Sequence, residues 1–159
     1  MNSNYEKIKE FHRVFGRKPD PMVPTVTSIE SRLLRGNLIL EEFQELIAEL
    51  GLQMQCEIVP VSDDLDNDSH TIDIVLKEIP GHEVKLDKVA KECADLLVVT
   101  YGTGASMGLP MDEAYEAVHE SNMSKLGPDG SVIRREDGKV LKGPNYKEPN
   151  MKKVIYNEQ

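Results

Sequence analysis

Apolar residues recur at intervals of three and four along much of this chain, which is the spacing of amphipathic helices. Helix-breaking residues interrupt the pattern: the segment KPDPMVP follows the first helical stretch, Gly51 follows the second, and Gly108-Leu109-Pro110 follows the third. The spacing therefore predicts four helices, over residues 3–15, 28–50, 86–107 and 111–126.

Two stretches lack the helical spacing. Residues 52–86 contain the acidic run SDDLDNDSH and the β-leaning stretch TIDIVLKEI, so we interpret them as an insertion with a loop and an extended segment, which could form a short hairpin. Residues 127–159 carry the turn signals GPDGS, EDGK and KGPN, which predict an irregular C-terminal tail. The predicted fold class is all-α, with residues 1–159 forming a single domain.

The composition of the chain indicates which binding partners and which cellular location to expect. The net charge of -9 disfavours nucleic acid and an anionic membrane as partners. No apolar run approaches the roughly 20 residues that a membrane-spanning helix needs, and the N-terminal sequence has no apolar signal core. A cytoplasmic location is therefore expected, and Cys56 and Cys93, which lack a CxxC partner, are expected to be reduced thiols.

The second predicted helix carries the acidic motif EEFQE. At about 100° per residue, Glu45 projects between Glu41 and Glu42, so the three carboxylates share one arc of roughly 100°. Apolar side chains occupy the opposite arc, and the helix is expected to face protein on both sides. These carboxylates should therefore point inward or into a cleft.

The third predicted helix carries Glu92 and Asp95 about 60° apart on one face. This helix is apolar nearly all round and is expected to be buried, and buried carboxylates must be paired or bind a metal. Few cations can pair with them, since only Lys88 and Lys91 lie nearby and Lys91 is expected to point away from Asp95. Five carboxylates without a histidine three residues on favour a hard cation, Mg²⁺ or Mn²⁺, although solvated surface acids remain the alternative.

The apolar stripe of the fourth predicted helix leads, one turn further on, to Asn122 and Lys125. Polar side chains on an inward line need partners, which a phosphate or a base edge would supply. Alternatively, the end of the helix is exposed and both side chains are solvated. The pattern leaves both interpretations open.

The motifs EExxE and ExxD, with the phrases EAVHESNMSKLG and KGPNY, resemble the MazG-like all-α nucleoside-triphosphate pyrophosphohydrolases. The nearest branch is the phosphoribosyl-ATP pyrophosphohydrolase-like proteins, and the match covers most of the chain except the insertion. The resemblance implies a four-helix bundle-like fold and cleavage between the α and β phosphates, which gives a nucleoside monophosphate and pyrophosphate. It also implies two or three Mg²⁺ ions, with Mn²⁺ as a substitute, and a homodimer or a dimer of dimers.

The resemblance assigns roles by motif. One glutamate of EExxE is the expected catalytic base that orients or deprotonates the attacking water. The implied metal ligands are Glu41, Glu42, Glu45, Glu92 and Asp95. The implied substrate-binding residues are Asn122 and Lys125, with Lys142 and Tyr146 as weaker candidates.

Three functions remain open at this point. The expected one is Mg²⁺-dependent hydrolysis of a nucleoside triphosphate, with dUTP or another deoxynucleoside triphosphate as plausible substrates. The alternatives are hydrolysis of phosphoribosyl-ATP and a metal-dependent nucleotide-binding regulator without turnover. The insertion makes the gap between the two acidic motifs longer than is usual in the family, so it could cap the active site, extend a dimer interface or recognise the base.

Overall fold

A computed structural model of the chain describes residues 3–15, 20–60 and 70–158. These residues form the helices α1 (Asn4–Val14), α2 (Ile29–Glu49), α3 (Leu86–Ser106), α4 (Met111–Met123) and α5 (Met151–Tyr156) and the strands β1 (Leu52–Pro60) and β2 (His70–Glu78). The chain divides into two compact units, of which the first comprises residues 1–29 and 101–159 and the second comprises residues 30–100. Helix therefore predominates, as predicted, and the single domain over residues 1–159 stays a prediction.

In the first unit, α1 is fixed by side chains on its buried face. The Tyr5 hydroxyl donates a hydrogen bond to the Leu109 carbonyl oxygen at 2.6 Å. The buried His12 ring lies 2.9 Å, through Nδ1, from a carboxylate oxygen of Asp20. At the start of the helix, the Ser3 hydroxyl oxygen accepts from a first-turn backbone N–H, which satisfies one of the unpaired donors there.

Gly108 ends α3, as the sequence predicts, and it does so for a steric reason. Its φ is +67°, and a Cβ at this position would lie 2.6 Å from the Val23 carbonyl oxygen and 2.7 Å from that of Pro21. Beside it, the Thr25 N–H donates to the Met107 carbonyl oxygen at 2.9 Å. The proline-containing segment that precedes α2 therefore lies against the end of α3.

The C-terminal tail contains the predicted turns, but the prediction that it is irregular throughout is wrong. The Asn150 side chain accepts a hydrogen bond from the Lys153 N–H at the start of α5, and Asn157, with a φ of 54°, follows its last residue. The Ser121 hydroxyl of α4 donates to the Lys147 carbonyl oxygen at 2.7 Å and so ties α4 to the segment before α5. Six helical residues are too few for a hydrophobic period to be recognised in the sequence.

In the second unit, Gly51 joins α2 directly to the antiparallel hairpin of β1 and β2. Its φ of +74° ends the helix, as predicted, and its carbonyl oxygen accepts from the Ile79 N–H at 2.7 Å, which closes the base of the hairpin. The insertion thus contains the hairpin that the sequence allowed, and the mainly helical chain has its two-stranded sheet within the β-leaning insertion. The acidic loop predicted within residues 61–69 lies outside the described residues.

One face of this hairpin is apolar and exposed. Directly opposite residues of an antiparallel pair share a face, and Ile58, Ile72 and Ile74 are 74%, 68% and 67% exposed. We call this surface the hairpin face. It consists of the cross-strand pairs Met54–Leu76, Cys56–Ile74 and Ile58–Ile72.

The helices of the second unit also expose apolar side chains. Leu33 and Leu40 of α2 are 58% and 50% exposed, and Leu97 of α3 is 52% exposed. The expectations that α2 faces protein on both sides and that α3 is buried are therefore wrong for the single chain. An apolar stripe shows that a helix face needs a partner, but it does not show that the partner belongs to the same chain.

Two further expectations concern cysteines and membranes. Cys56 and Cys93 are both unpaired and exposed. Within the described part of the chain, no helix has both the length and the hydropathy that crossing a bilayer requires. The cytoplasmic location stays a prediction.

Candidate metal centre

Three carboxylates converge in the second unit. Glu42 comes from α2 and Glu92 and Asp95 from α3, and one carboxylate oxygen of each lies within 4.8 Å of the other two. Glu92 is only 5% exposed, while the other two are partly buried. The spacing ExxD places Glu92 and Asp95 on one helix face, as the sequence predicts. We call these three residues the carboxylate cluster.

A lysine of α3 lies against this cluster. The Nζ atom of Lys91 is 3.1 and 3.0 Å from the two carboxylate oxygens of Glu92 and 3.0 Å from Oδ2 of Asp95. The expectation that Lys91 points away from Asp95 is therefore wrong. The two residues are four apart on a helix, where side chains are neighbours, and the long lysine side chain can bend towards the carboxylate. These bonds to Glu92 and Asp95 raise the pKa of Lys91 above its ordinary value.

The environment of Glu42 shows that the cluster has an excess of negative charge. Burial raises the pKa of Glu42, and the nearby charges of Glu45 and Asp95 raise it further, although Lys91 partly opposes them. A cation with more charge than an ammonium would relieve this repulsion. Carboxylate oxygens without histidine or cysteine ligands are the donors that hard divalent cations prefer. The residues present therefore fit Mg²⁺ or Mn²⁺.

The other two glutamates of EExxE lie outside the cluster. Glu41 is exposed, and Glu45, whose side chain is 49% exposed, lies 3.8 Å from Nζ of Lys91. Helical geometry explains the difference, because Glu45 is about 60° and Glu41 about 100° away from Glu42 around the axis. Glu42 faces α3, Glu45 lies at the edge of the cluster, and Glu41 turns away. Their assignment as metal ligands stays a prediction.

The predicted substrate-binding residues lie in the first unit. Helix α4 ends at Met123, three residues earlier than predicted, so Lys125 follows the helix and donates from Nζ to Oδ1 of Asn122 at 2.7 Å. Asn122 is exposed and Lys125 is partly buried. The two side chains are therefore partners of each other. Of the two interpretations left open by the sequence, the exposed and solvated helix end is the one that fits Asn122.

The KGPNY motif lies beside the same helix end. The Gly143 N–H donates to the Lys125 carbonyl oxygen at 3.0 Å, and a Cβ on Gly143 would lie 2.7 Å from that oxygen. Nζ of Lys142 is 4.2 Å from the centre of the Tyr146 ring and 3.6 Å from a carboxylate oxygen of Glu148. The structure therefore brings the two predicted substrate motifs together, and their contact with a nucleotide stays a prediction.

A cavity of about 540 Å³ lies along α4 and α5 in the first unit, and none of the predicted site residues lines it. Its charged lining combines glutamates with lysines, which favours neither an anion nor a cation. The lining residues with charged side chains are Glu113, Glu120, Lys147, Glu148 and Lys153.

Besides Lys91, the sequence interpretation missed Arg35 on α2. Arg35 is 6% exposed, and in the described part of the chain its Nε and Nη2 atoms have no hydrogen-bond partner. The sequence does contain a signal, because Arg35 precedes Glu42 by seven residues and therefore falls on the same helix face.

Comparison with known families adds independent information. A family model described as "Phosphoribosyl-ATP pyrophosphohydrolase" matches residues 8–122, which is well over half of the chain. The matched range includes both acidic motifs and Asn122, and it ends before Lys125, Lys142 and Tyr146. A comparison with curated proteins found no match.

Proposed function

We propose a specific reaction for this chain, which belongs to the phosphoribosyl-ATP pyrophosphohydrolase family within the MazG-like all-α pyrophosphohydrolase superfamily. Members of this family are hydrolases that act on phosphorus-containing acid anhydrides. The proposed reaction is Mg²⁺-dependent hydrolysis of a nucleoside triphosphate to a nucleoside monophosphate and pyrophosphate. Deoxynucleoside triphosphates, dUTP among them, are the first substrates to test. Phosphoribosyl-ATP is an equally supported candidate substrate, because the matched family model is described by it.

The observation that carries this proposal is the carboxylate cluster. Glu42, Glu92 and Asp95 would hold the cation through hard oxygen ligands, and Mg²⁺ sites of this kind leave coordination positions for water and phosphate oxygens. When bound, the cation neutralises phosphate charge and makes a water molecule more acidic. On this proposal, the four-helix bundle-like arrangement of the superfamily brings the nucleotide to the cluster.

The remaining residues supply proton transfer and binding. We assign the general base to Glu45, whose half-exposed carboxylate at the edge of the cluster can take a proton from water. The water oxygen then bonds to the α phosphorus, the bond from that phosphorus to the bridging oxygen breaks, and pyrophosphate leaves with the electron pair. Lys125 stabilises the charge that develops on the phosphates, and Asn122, Lys142 and Tyr146 bind the nucleotide. Glu41 turns away from the cluster in the single chain, and its proposed role as a metal ligand is supported by the family motif alone.

A second copy of the chain completes the proposed enzyme as a homodimer or a dimer of dimers. The hairpin face spans five residues of each strand, so it is about 17 Å long and about 10 Å wide, or about 170 Å². A stable interface covers about 800 Å² on each partner, so the hairpin face needs the exposed apolar side chains of α2 and α3 beside it. Light scattering should give a dimer or tetramer for the wild type and a smaller mass for Ile74→Lys. Gln55→Lys, on the polar face of the hairpin, should retain the wild-type mass.

The test of the reaction is a substrate panel scored by pyrophosphate release. Deoxynucleoside and ribonucleoside triphosphates and phosphoribosyl-ATP are compared with Mg²⁺, with Mn²⁺ and with a chelator. Asp95→Asn should lower the best turnover at least about 100-fold, because it removes a ligand charge, whereas Asp73→Asn on the exposed hairpin should not change it. Full activity of Asp95→Asn would contradict the proposal, and so would full activity of the wild type in the chelator. Nucleotide-dependent thermal stabilisation without pyrophosphate would instead identify a binding regulator.

A further inference from the structure

Arg35 is a buried charge that no ion pair balances within the described part of the chain. Arg35 is 6% exposed, and within residues 3–15, 20–60 and 70–158 nothing accepts a hydrogen bond from its Nε or Nη2. A guanidinium stays protonated at physiological pH. Proteins pair buried charges, because an unpaired one loses its hydration without compensation. The missing partner of Arg35 is therefore an anion that the described residues do not supply.

The position of Arg35 relates this anion to the carboxylate cluster. Arg35 and Glu42 are seven residues apart, so their side chains leave α2 within about 20° of each other and about 10 Å apart along its axis. Lys91 contacts Glu92 and Asp95, whereas no ion pair joins Arg35 to a carboxylate of the cluster. An anion at Arg35 would lie on the same face of the helix as Glu42, about 10 Å away along the axis.

We infer that Arg35 is a phosphate-binding residue of the active site, an inference that rests on the proposed function. The planar guanidinium presents two parallel N–H donors, which match two oxygens of one phosphate group. With the cluster about 10 Å away, the two sites suit the two parts of an extended substrate. The cluster takes the anhydride that is cleaved, and Arg35 takes a phosphate that lies further along the molecule. A carboxylate from a second copy is the competing source of the anion.

The inference is tested by binding, in a chelator and without turnover. Inorganic phosphate, pyrophosphate and the nucleoside monophosphates dUMP and AMP are the probes, measured by thermal shift and by calorimetry. Pyrophosphate should stabilise the wild type. Arg35→Met should bind at least one of the probes at least about tenfold more weakly than the wild type does. Without anion, Arg35→Met should melt no lower than the wild type. Arg35→Lys should bind the probes with intermediate affinity, because an ammonium lacks the two parallel N–H donors of a guanidinium. Arg32→Met, on the same helix but exposed, is the matched control and should bind like the wild type.

The pattern of loss identifies the phosphate that Arg35 binds. Weakened pyrophosphate binding assigns Arg35 to the leaving group, and weakened monophosphate binding assigns it to the retained nucleotide; either supports the inference. The inference is overturned if no probe stabilises the wild type, or if Arg35→Met binds every probe like Arg32→Met. It is also overturned if Arg35→Met lowers the solution mass and leaves anion binding intact, because Arg35 then pairs with a second copy.

Two safeguards keep the outcomes distinct. If Arg35→Met does not fold, Arg35→Lys decides, and an unchanged affinity of this variant for every probe overturns the inference. Turnover is scored separately from binding. A chain that binds phosphate through Arg35 but releases pyrophosphate from no nucleotide contradicts the proposed function alone.

Discussion

Replacing Glu92 with glutamine removes the most buried charge of the carboxylate cluster and keeps the size of the side chain. In the wild type, carboxylate oxygens of the cluster lie within 4.8 Å of each other. Two unit charges at that distance repel by about 0.9 kcal/mol in water and by about 3.5 kcal/mol at an effective dielectric constant of 20. Glu92→Gln therefore relieves between about 1 and about 3 kcal/mol of repulsion from each neighbour.

The loss of the Glu92–Lys91 ion pair does not cancel this gain. The Lys91 side chain is 57% exposed, so its ammonium remains hydrated, and it keeps its 3.0 Å contact with Asp95. Breaking a buried pair is costly when a buried charge is left behind, and that does not happen here. Without divalent cations, Glu92→Gln should therefore melt at the wild-type temperature or above it.

With Mg²⁺ the order should reverse. A ligand at 100 times its dissociation constant stabilises the folded state by about 2.7 kcal/mol. For a chain of this length, each kcal/mol corresponds to about 2–4 °C, so the wild type should gain about 5–11 °C. Glu92→Gln loses a charged ligand and should gain less than about 2 °C at the same concentration.

The assay is a set of thermal melts in EDTA and across a Mg²⁺ titration. Glu78→Gln, an exposed residue at the base of the hairpin, controls for the change in net charge and should behave like the wild type. A shift of wild-type size in Glu92→Gln would show that Glu92 is not a metal ligand. A melting temperature in EDTA more than about 4 °C below the wild type would show that the cluster is not under repulsion.

Three further predictions concern neighbouring groups. Lys91→Met should raise the Mn²⁺ affinity measured by calorimetry roughly two- to fivefold, because a competing cation is removed; Lys88→Met on the same helix should not, and weaker binding by Lys91→Met contradicts the competition. Because burial, Glu45 and Asp95 raise the pKa of Glu42, the folded state binds more protons than the unfolded state between the ordinary value of 4.5 and the raised one. As the pH falls through that window, metal-free stability in denaturant melts should increase while Mg²⁺ affinity decreases, and parallel changes would refute the assignment. Gly36→Ala should stabilise α2 by about 0.5–1 kcal/mol, since nothing lies within 4 Å of the added Cβ, and a lower melting temperature would show that a second copy packs there.

The helices could be predicted closely because their ends are set by local chemistry. Residues 86–107 were predicted for α3, which spans Leu86–Ser106, and Gly51 and Gly108 both adopt the positive φ that ends a helix. Strand β1 and helix α5 were not predicted as such. The six residues of α5 carry no readable period, and the pairing of β1 depends on a partner strand that begins ten residues after β1 ends.

The carboxylate cluster could be predicted in part from the sequence. ExxD fixes Glu92 and Asp95 on one face of α3 whatever surrounds them, and the structure places both in the cluster. Three glutamates spread over an arc of roughly 100° cannot show which one faces another helix, because that depends on how the helices pack. Lys91 was misplaced for a different reason, since the backbone position of a lysine does not fix where four rotatable bonds carry its ammonium.

The two cations of this site differ in exposure, and that difference orders their roles. Lys91 is more than half exposed, so its ammonium can leave the cluster for water at little cost when a divalent cation arrives. Arg35 is buried, and on our inference its charge is balanced when a phosphate binds. On the proposed scheme, metal binding displaces a temporary counter-ion, whereas phosphate binding satisfies a permanent one. Mg²⁺ affinity should therefore respond to changes at Lys91 and substrate affinity to changes at Arg35, each with little effect on the other.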